Sequence, residues 1–242
     1  MPHRTVPAAW LEPPTAERGP DGSAVAAVAG CASLAGLLIM LFALVAAPGS
    51  WLLGYISEAG TPGLPLATPY RFGLVLLAAG AGLLGLALRR RSRLVAQLLG
   101  GAAAFAATSG AVPCSGGCPL PPFEPTTAGD VVHAAATIVA ALLVVGAMVT
   151  VALSPALRPA VRRLAAAAAA LIVPLGAALG AVMVLAGRVP AGAALERLVV
   201  LVGVGWVVGT AVLTARGAVD GSGLALDHDQ RAEGGGRQSQ LR

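Results

Sequence analysis

Residues 71–93 read RFGLVLLAAGAGLLGLALRRRSR, an apolar run that begins with one arginine and ends in a cluster of four. A helix needs an apolar run of about 20 residues to cross the hydrocarbon core of a bilayer. Clustered arginines at one end of such a run are typical of the cytoplasmic side. This stretch therefore predicts a transmembrane helix and also its direction.

The same pattern of apolar runs and arginine clusters extends along the chain. Hydrophobic residues make up 57% and charged residues only 11% of the sequence, against roughly 25% charged residues in a soluble domain. We expect an all-α membrane protein whose six transmembrane helices form three helical hairpins. The predicted helices are 24–47, 71–88, 94–112, 130–153, 164–186 and 195–215.

The segments on either side of this membrane domain of residues 24–215 differ from it in composition. Residues 1–23 and 216–242 are rich in glycine, proline and polar side chains. Such segments cannot bury enough apolar surface to offset the entropy lost on folding. Both tails are therefore predicted to be disordered.

The arginines are distributed unevenly between the two ends of the predicted bundle. There are sixteen of them and no lysine, and thirteen lie in the tails or in the gaps after the second and fourth helices. Only Arg71, Arg188 and Arg197 lie in the other gaps. The positive-inside rule then places both termini in the cytoplasm, with the plasma membrane as the expected location. Nucleic acid is not an expected partner, because the net charge of +5 comes from arginines at membrane edges.

Small residues are frequent within the predicted helices. The fifth helix contains Gly176-x-x-x-Gly180 and the sixth contains Gly205-x-x-x-Gly209. Small side chains let helix backbones approach closely, which matters because lipid supplies little hydrophobic drive between helices. These faces predict a compact bundle surrounded by lipid, and they are also candidate contacts for a homo-oligomer.

Polar residues other than arginine collect in the long loops of the predicted outer side. The gaps after the first and third helices span about 23 and 17 residues, and long ordered loops are often functional. We expect a pocket there for a lipid headgroup or a small ligand, and Arg71 is expected to pair with one of its acids. The predicted ligand-binding residues are Glu58, Arg71, Glu124, Asp130 and His133.

An alternative prediction is a lipid-modifying hydrolase. Asp130 and His133 are three residues apart on one helix, so they share a face, and a carboxylate can orient a histidine that activates Ser57 as a nucleophile. A structural interpretation competes with it: Thr127 caps the helix, Asp130 lies in the positive first turn, and His133 bonds to Asp130 or to a loop carbonyl. Glu196 has the same explanation at the start of the last helix. The sequence favours a non-catalytic protein and leaves enzyme activity open.

Cys114 and Cys118 are predicted to form a disulfide, since both lie on the predicted outer side and two glycines between them permit a tight turn. Free thiols, or a redox-active or metal-binding pair, are the alternatives. No resident metal or other cofactor is expected, because His133 is the single histidine outside the tails and Asp130 and Glu58 make a poor ligand set with it. Ion-coupled transport is not expected either, since no charged residue lies at mid-membrane depth.

Two loop motifs carry a resemblance to a known family. The first is Tyr55-Ile-Ser57-Glu58-Ala-Gly60, and the second is Pro113-Cys-Ser-Gly-Gly-Cys-Pro119 followed by Asp130-x-x-His133. Together with the second predicted helix, these motifs resemble the bacterial and archaeal membrane proteins of domain-of-unknown-function family 998, over roughly residues 25–215. That family has no established activity, so the resemblance implies a six-helix bundle and no catalytic roles.

Overall fold

A computed structural model of the chain describes residues 22–47, 54–119 and 121–239, with side chains described as far as Arg216. The helices are α1 (Gly22–Ala46), α2 (Ala67–Leu88), α3 (Arg93–Ala111), α4 (Ala128–Leu153), α5 (Pro159–Ala186) and α6 (Pro190–Ser239). A short 3₁₀ helix, η1 (Ile56–Gly60), lies between α1 and α2. No strand occurs within these ranges.

All six helices are long and apolar enough to cross a membrane, α6 over its first part, Pro190–Arg216. Each helix also packs against the next along the chain, and α1 packs against α6, which closes the bundle. The predicted all-α, six-helix membrane protein is confirmed. Which end of the bundle faces the cytoplasm stays a prediction.

Two helices begin five residues earlier than their apolar runs suggest. α5 starts at Pro159 rather than at 164, and α6 starts at Pro190 rather than at 195. Proline suits the first turn of a helix because its missing N–H has no intrahelical partner there and its φ is already helical. As a result Arg162 and Arg163 belong to α5, and the guanidinium of Arg162 donates to the carbonyl oxygen of Ala152 at 3.2 Å.

The helical backbone of α6 continues to Ser239, where a disordered tail is predicted from residue 216. Side chains beyond Arg216 lie outside the described ones, so disorder in this tail stays a prediction. The N-terminal tail, apart from residues 22 and 23, also lies outside the described residues.

The tightest helix contact joins α1 to α2 through glycine. A Cβ atom added at Gly36 would lie 2.5 Å from the carbonyl oxygen of Gly73, and one added at Gly73 would lie 2.8 Å from the carbonyl oxygen of Gly36. A Cβ added at Gly80 would overlap the hydroxyl of Ser33. The close backbone contact that small residues permit is therefore present between α1 and α2. By contrast, nothing lies within 4 Å of a Cβ added at Gly176 or Gly180 of α5.

The alternation of helices divides the loops between two ends. Loop 1 (residues 47–66), loop 3 (112–127) and loop 5 (187–189) form what we call the loop end. The turns at residues 89–92 and 154–158 form the arginine end. The loop end is the side predicted to face outward, and the candidate functional residues lie there.

Candidate functional site at the loop end

Arg188 in loop 5 joins the three loops. Its guanidinium forms an ion pair with Glu58 of η1, and a second one with Glu124 of loop 3 at 3.5 Å. It also lies against the turn of loop 3, since a Cβ added at Gly117 would be 3.0 Å from its Nη1. The side chains of Arg188 and Glu58 are each only 26% exposed. One arginine from the shortest loop thus holds the two longer loops together.

Two residues of α6 attach loop 1 to the bundle. The carboxylate of Glu196 accepts a hydrogen bond from the backbone N–H of Ile56 at 2.5 Å. Arg197 donates to the carbonyl oxygen of Gly54 at 2.7 Å. Glu196 lies in the second turn of α6, because that helix begins at Pro190. The explanation of Glu196 as an acid at a helix start was therefore wrong, and its contact with loop 1 accounts for it instead.

Tyr55 shows how closely loop 1 is packed. Its side chain is buried, and its hydroxyl would overlap a Cβ atom added at Gly192. Burial raises the pKa of the Tyr55 phenol above its ordinary value. The glycine of α6 therefore makes room for the tyrosine of loop 1.

Asp130 ties the start of α4 to loop 3. It is 3% exposed and accepts hydrogen bonds from the backbone N–H and hydroxyl of Ser115, at 2.6 and 2.9 Å. It also accepts from the backbone N–H and hydroxyl of Thr127, at 2.7 and 2.8 Å. In return the Thr127 hydroxyl oxygen accepts from the Asp130 N–H at 3.3 Å. This is the capping box that the structural interpretation of the sequence predicts.

His133 faces the C-terminal end of α3 and not Asp130. Its Nδ1 lies 2.9 Å from the carbonyl oxygen of Ser109 and 3.0 Å from that of Val112. The Ser109 hydroxyl is 3.2 Å from the same nitrogen and 2.8 Å from the Thr137 hydroxyl. Of the two partners foreseen for His133, the loop carbonyl is the one observed. Neither Asp130 nor His133 has a described hydrogen bond to the other.

Arg71 also binds the end of α3. Its Nε donates to the carbonyl oxygen of Gly110 at 2.9 Å, and its Nη2 donates to that of Ala111 at 3.0 Å. The expected ion pair with an acid was wrong. The last carbonyls of a helix lack intrahelical donors and carry partial negative charge. They occupy the guanidinium, while Glu58 and Glu124 pair with Arg188.

A groove opens beside Arg71 on the outer surface of the bundle. It has a volume of about 290 Å³ and is lined by Thr68, Arg71, Phe72, Val75, Gly110 and Ala111. Phe72 is 58% exposed and Val75 41% exposed. Both lie on a helix that spans the membrane, so the groove has apolar walls and one cationic group at its end.

The structure joins Cys114 and Cys118 in a disulfide, with their Cα atoms 5.0 Å apart. Gly117 and Cys118 have φ angles of 84° and 49°, so the turn between the cysteines is left-handed at both positions. The sulfur of Cys114 lies 4.0 Å from the carbonyl oxygen of Ser57. Loop 1 therefore lies against the cysteine turn of loop 3.

The sequence-predicted ligand residues are brought to one end of the bundle, but not into one pocket. Glu58 and Glu124 pair with Arg188, Asp130 binds the backbone of loop 3, and Arg71 and His133 bind the end of α3. A ligand role for these side chains stays a prediction. The part played by Arg188 and Glu196 was missed, although two arginines at the arginine-poor side of the sequence, at 188 and 197, were a usable signal.

The catalytic arrangement of the hydrolase prediction is not assembled in this geometry. Asp130 is bonded to Ser115 and Thr127, so it does not orient His133. A triad requires the acid to hold the histidine and the histidine to reach the nucleophile. The arrangement holds the three loops together over the bundle and fixes the guanidinium of Arg71 beside an apolar groove.

Among the comparisons with known proteins, a family model gives a match. No curated protein and no solved structure matches the chain. The model of one family, described as "Protein of unknown function (DUF998)", matches residues 30–213. That range includes α2 to α5, most of α1, the first part of α6 and the three loops of the loop end. The chain therefore belongs to the DUF998 family of membrane proteins, as its loop motifs suggested.

Proposed function

We propose that this protein binds an anionic lipid, with the headgroup at Arg71 and an acyl chain in the groove beside it. The observation that carries the proposal is the position of Arg71 at the end of a groove with apolar walls. Two carbonyl oxygens already orient the guanidinium. Arginine has five N–H donors, so donors remain for a phosphate oxygen.

The charges around Arg71 support an anion rather than a cation. The carboxylates of Glu58 and Glu124 are engaged by Arg188, and that of Asp130 is 3% exposed and bonded to loop 3. Arg71 is therefore not neutralised by these acids. A fixed guanidinium at the membrane surface favours phosphate, which it can bind through two parallel hydrogen bonds.

The apolar walls support a lipid rather than a soluble phosphate compound. Phe72 and Val75 lie one helical turn apart on α2 and face outward. Lipid tails have the same polarity as these side chains, so an acyl chain fits along them. The Thr68 hydroxyl, at the first turn of α2, is exposed and adds a polar group near the headgroup.

The proposal is tested with a photoreactive phosphatidylglycerol that carries a diazirine on its acyl chain. We expect the purified protein to crosslink within residues 68–75, and to do so less with the phosphatidylcholine analogue. Arg71→Gln should reduce this crosslink about tenfold, because a charge-assisted hydrogen bond contributes roughly 1.5–3 kcal/mol. Val75→Phe, which fills the groove and leaves Arg71 in place, should also reduce it.

Arg163→Gln is the matched control, since Arg163 is an exposed arginine at the opposite end of the bundle. It should leave the crosslink at residues 68–75 unchanged. Inorganic phosphate added in excess separates a lipid site from a site for free phosphate. Displacement of the lipid by phosphate alone, or unchanged crosslinking in both groove variants, would overturn the proposal.

The hydrolase alternative receives no support from a specific contact. Ser57 lies near Cys114 through its backbone, and the described bonds of Asp130 and His133 go to loop 3 and to α3. We therefore advance lipid binding as the function and no reaction.

A further inference from the structure

Cys114, Cys118 and His133 form a cluster that the lipid proposal does not use. Each offers one metal-ligand atom, and these atoms all lie within 4.8 Å of one another. Cys114 is buried, and Cys118 and His133 are half-buried. The sequence separates the histidine from the second cysteine by 15 residues, and the capping box at Thr127 and Asp130 brings α4 back beneath the cysteine turn.

The hydrogen bonds of His133 orient its ring as metal-binding histidines are oriented. Nδ1 lies within 3.0 Å of two backbone carbonyl oxygens. A carbonyl oxygen can only accept, so Nδ1 carries the hydrogen and donates it. Nε2 then holds its lone pair free for a ligand bond. Metal-bound histidines typically donate their other ring N–H to a carbonyl or carboxylate in this way.

The spacing of the cluster fits a small tetrahedral ion. Zinc–sulfur bonds of about 2.3 Å and zinc–nitrogen bonds of about 2.0 Å place neighbouring ligand atoms roughly 3.5–3.8 Å apart. The two sulfurs and one ring nitrogen of His133 already lie within 4.8 Å of one another. Opening the disulfide would let the two sulfurs separate to that distance. The turn has room for this shift, since nothing lies within 4 Å of a Cβ added at Gly116.

We propose that, once the Cys114–Cys118 disulfide is reduced, the two cysteine sulfurs and Nε2 of His133 bind one Zn²⁺ ion per chain. A dithiol reductant would supply two electrons and two protons, so that the S–S bond breaks, two S–H bonds form and the reductant becomes a disulfide. On binding zinc, each thiol releases its proton to solvent and forms a Zn–S bond. Three protein ligands leave a fourth position for water, which is the pattern of an open zinc site.

The donor set joins His133 to the cysteines, which the sequence offered only as an alternative metal-binding pair, rather than to the acids judged to be a poor ligand set with it. Asp130 and Glu58 were the candidate partners of His133, and both carboxylates are bound elsewhere, to loop 3 and to Arg188. The cysteines take their place. Thiolate and imidazole ligands favour zinc, whereas magnesium and calcium prefer carboxylate ligands. The inference does not depend on lipid binding at Arg71. That arginine binds the end of α3 from α2, whereas His133 binds it from α4.

The experiment compares oxidised and reduced full-length protein purified without a histidine tag. The phosphine TCEP is the reductant, because it opens the disulfide with water as the source of protons and of the oxygen on its oxide. Excess reductant is removed, and zinc binding is measured by competition with a chelating dye. We expect one zinc per reduced chain and none per oxidised chain. Cobalt(II) in place of zinc should give a thiolate charge-transfer band together with the intense visible bands of a tetrahedral site.

Variants assign the ligands. Cys114→Ser and Cys118→Ser should bind no zinc. The zinc affinity of His133→Gln should fall by about tenfold or more, since even changes to groups that only orient a ligand lower metal affinity about tenfold. Cys31→Ser is the matched control for a cysteine outside the cluster, and should bind as the wild type does.

Three results would overturn the inference. They are zinc binding by the oxidised protein at the same affinity, no binding by the reduced protein, and unchanged affinity in His133→Gln. The oxidised wild type needs no substitution, so this comparison holds even where a variant fails to fold. Reoxidation by a small-molecule disulfide, which takes up two electrons and two protons and becomes two thiols, should release the zinc and restore the Cys114–Cys118 bond. This also shows that the reduced chain was intact.

Discussion

The carboxylate of Asp130 illustrates how a polar residue in a membrane protein can be structural. It accepts hydrogen bonds from two backbone N–H groups and two hydroxyls. Those donors belong to the ends of loop 3, so one side chain closes the loop onto α4. A buried charge is costly unless it is hydrogen-bonded in this way. Asp130 is therefore better explained by the path of the chain than by catalysis.

Replacing Asp130 with alanine should lower the free energy of unfolding by roughly 2–4 kcal/mol, because several buried donors lose their acceptor at once. Thr127→Ala removes only the helix cap and should lower it by about 1 kcal/mol. Both values can be measured by denaturation in mixed detergent micelles, followed through far-ultraviolet circular dichroism.

Glu124→Ala is the matched control, since it removes a carboxylate from loop 3, the loop to which Asp130 binds. The Glu124 side chain is 40% exposed and 3.5 Å from Arg188, and an exposed ion pair contributes about 1 kcal/mol or less. If the Asp130 variant were no less stable than the Glu124 variant, the capping role would be refuted.

Arg71 and His133 show why single residues are hard to assign from sequence. Each carries a chemistry that suggests a charged partner, and each binds backbone carbonyls at the end of α3 instead. Carbonyl groups are present at every residue, so no sequence letter marks those that a helix end leaves unpaired. The acids of the loop end and Arg188 were all visible in the sequence. That Glu58 and Glu124 pair with Arg188 rather than with Arg71 became apparent only from the folded loops.

At the scale of elements, apolar length was enough to predict all six membrane-spanning helices, but not the short η1. Bilayer thickness imposes that length, and a helix is one of the few structures that satisfy its own backbone in lipid. The starts of α5 and α6 were predicted late, because the prediction began at the first leucine of each apolar run, whereas each helix begins at a proline five residues earlier. Capping could be predicted at Thr127, where the side chains themselves form the cap.

The glycines of α1 and α2 allow a sharper prediction. Gly36→Ala should destabilise the protein by about 1–3 kcal/mol, because its Cβ would meet the backbone of α2 and force the two helices apart. Neighbouring atoms would be the Gly73 carbonyl oxygen at 2.5 Å and the Leu77 nitrogen at 2.8 Å. The midpoint of thermal unfolding in detergent measures the effect.

Gly176→Ala makes the same chemical change where nothing lies within 4 Å. It should leave the stability of the single chain unchanged. The homo-oligomer expected from this face stays a prediction, and the same variant examines it: a shift to smaller particles in size-exclusion chromatography would favour a contact at Gly176. Equal destabilisation by the two substitutions would contradict the packing described for Gly36.

On the scale of the whole molecule, the two ends of the bundle use arginine differently. At the loop end, Arg71 binds carbonyl oxygens, Arg188 binds two acids and Arg197 binds a loop carbonyl. At the arginine end, the residues of the 89–93 cluster include four arginines around an open hollow. The loop-end arginines thus hold the fold, Arg71 with further donors for the proposed lipid, and the arginine cluster from which the orientation is predicted lies at the other end.

This asymmetry leads to a topology prediction that can be measured in intact cells. Charged loops are retained in the cytoplasm according to their lysine and arginine content, so loop 1 should face outward and the α4–α5 turn inward. In a Cys31→Ser background, Pro62→Cys should react with a membrane-impermeant maleimide, whereas Ala156→Cys should react only after lysis. Both positions are exposed, and the remaining cysteines are paired in the disulfide.

Because each variant is labelled after lysis as its own control, a difference in reactivity reports sidedness and not burial. Labelling of Ala156→Cys but not Pro62→Cys in intact cells would invert the orientation, and would place the Arg71 groove and the cysteine turn on the cytoplasmic side.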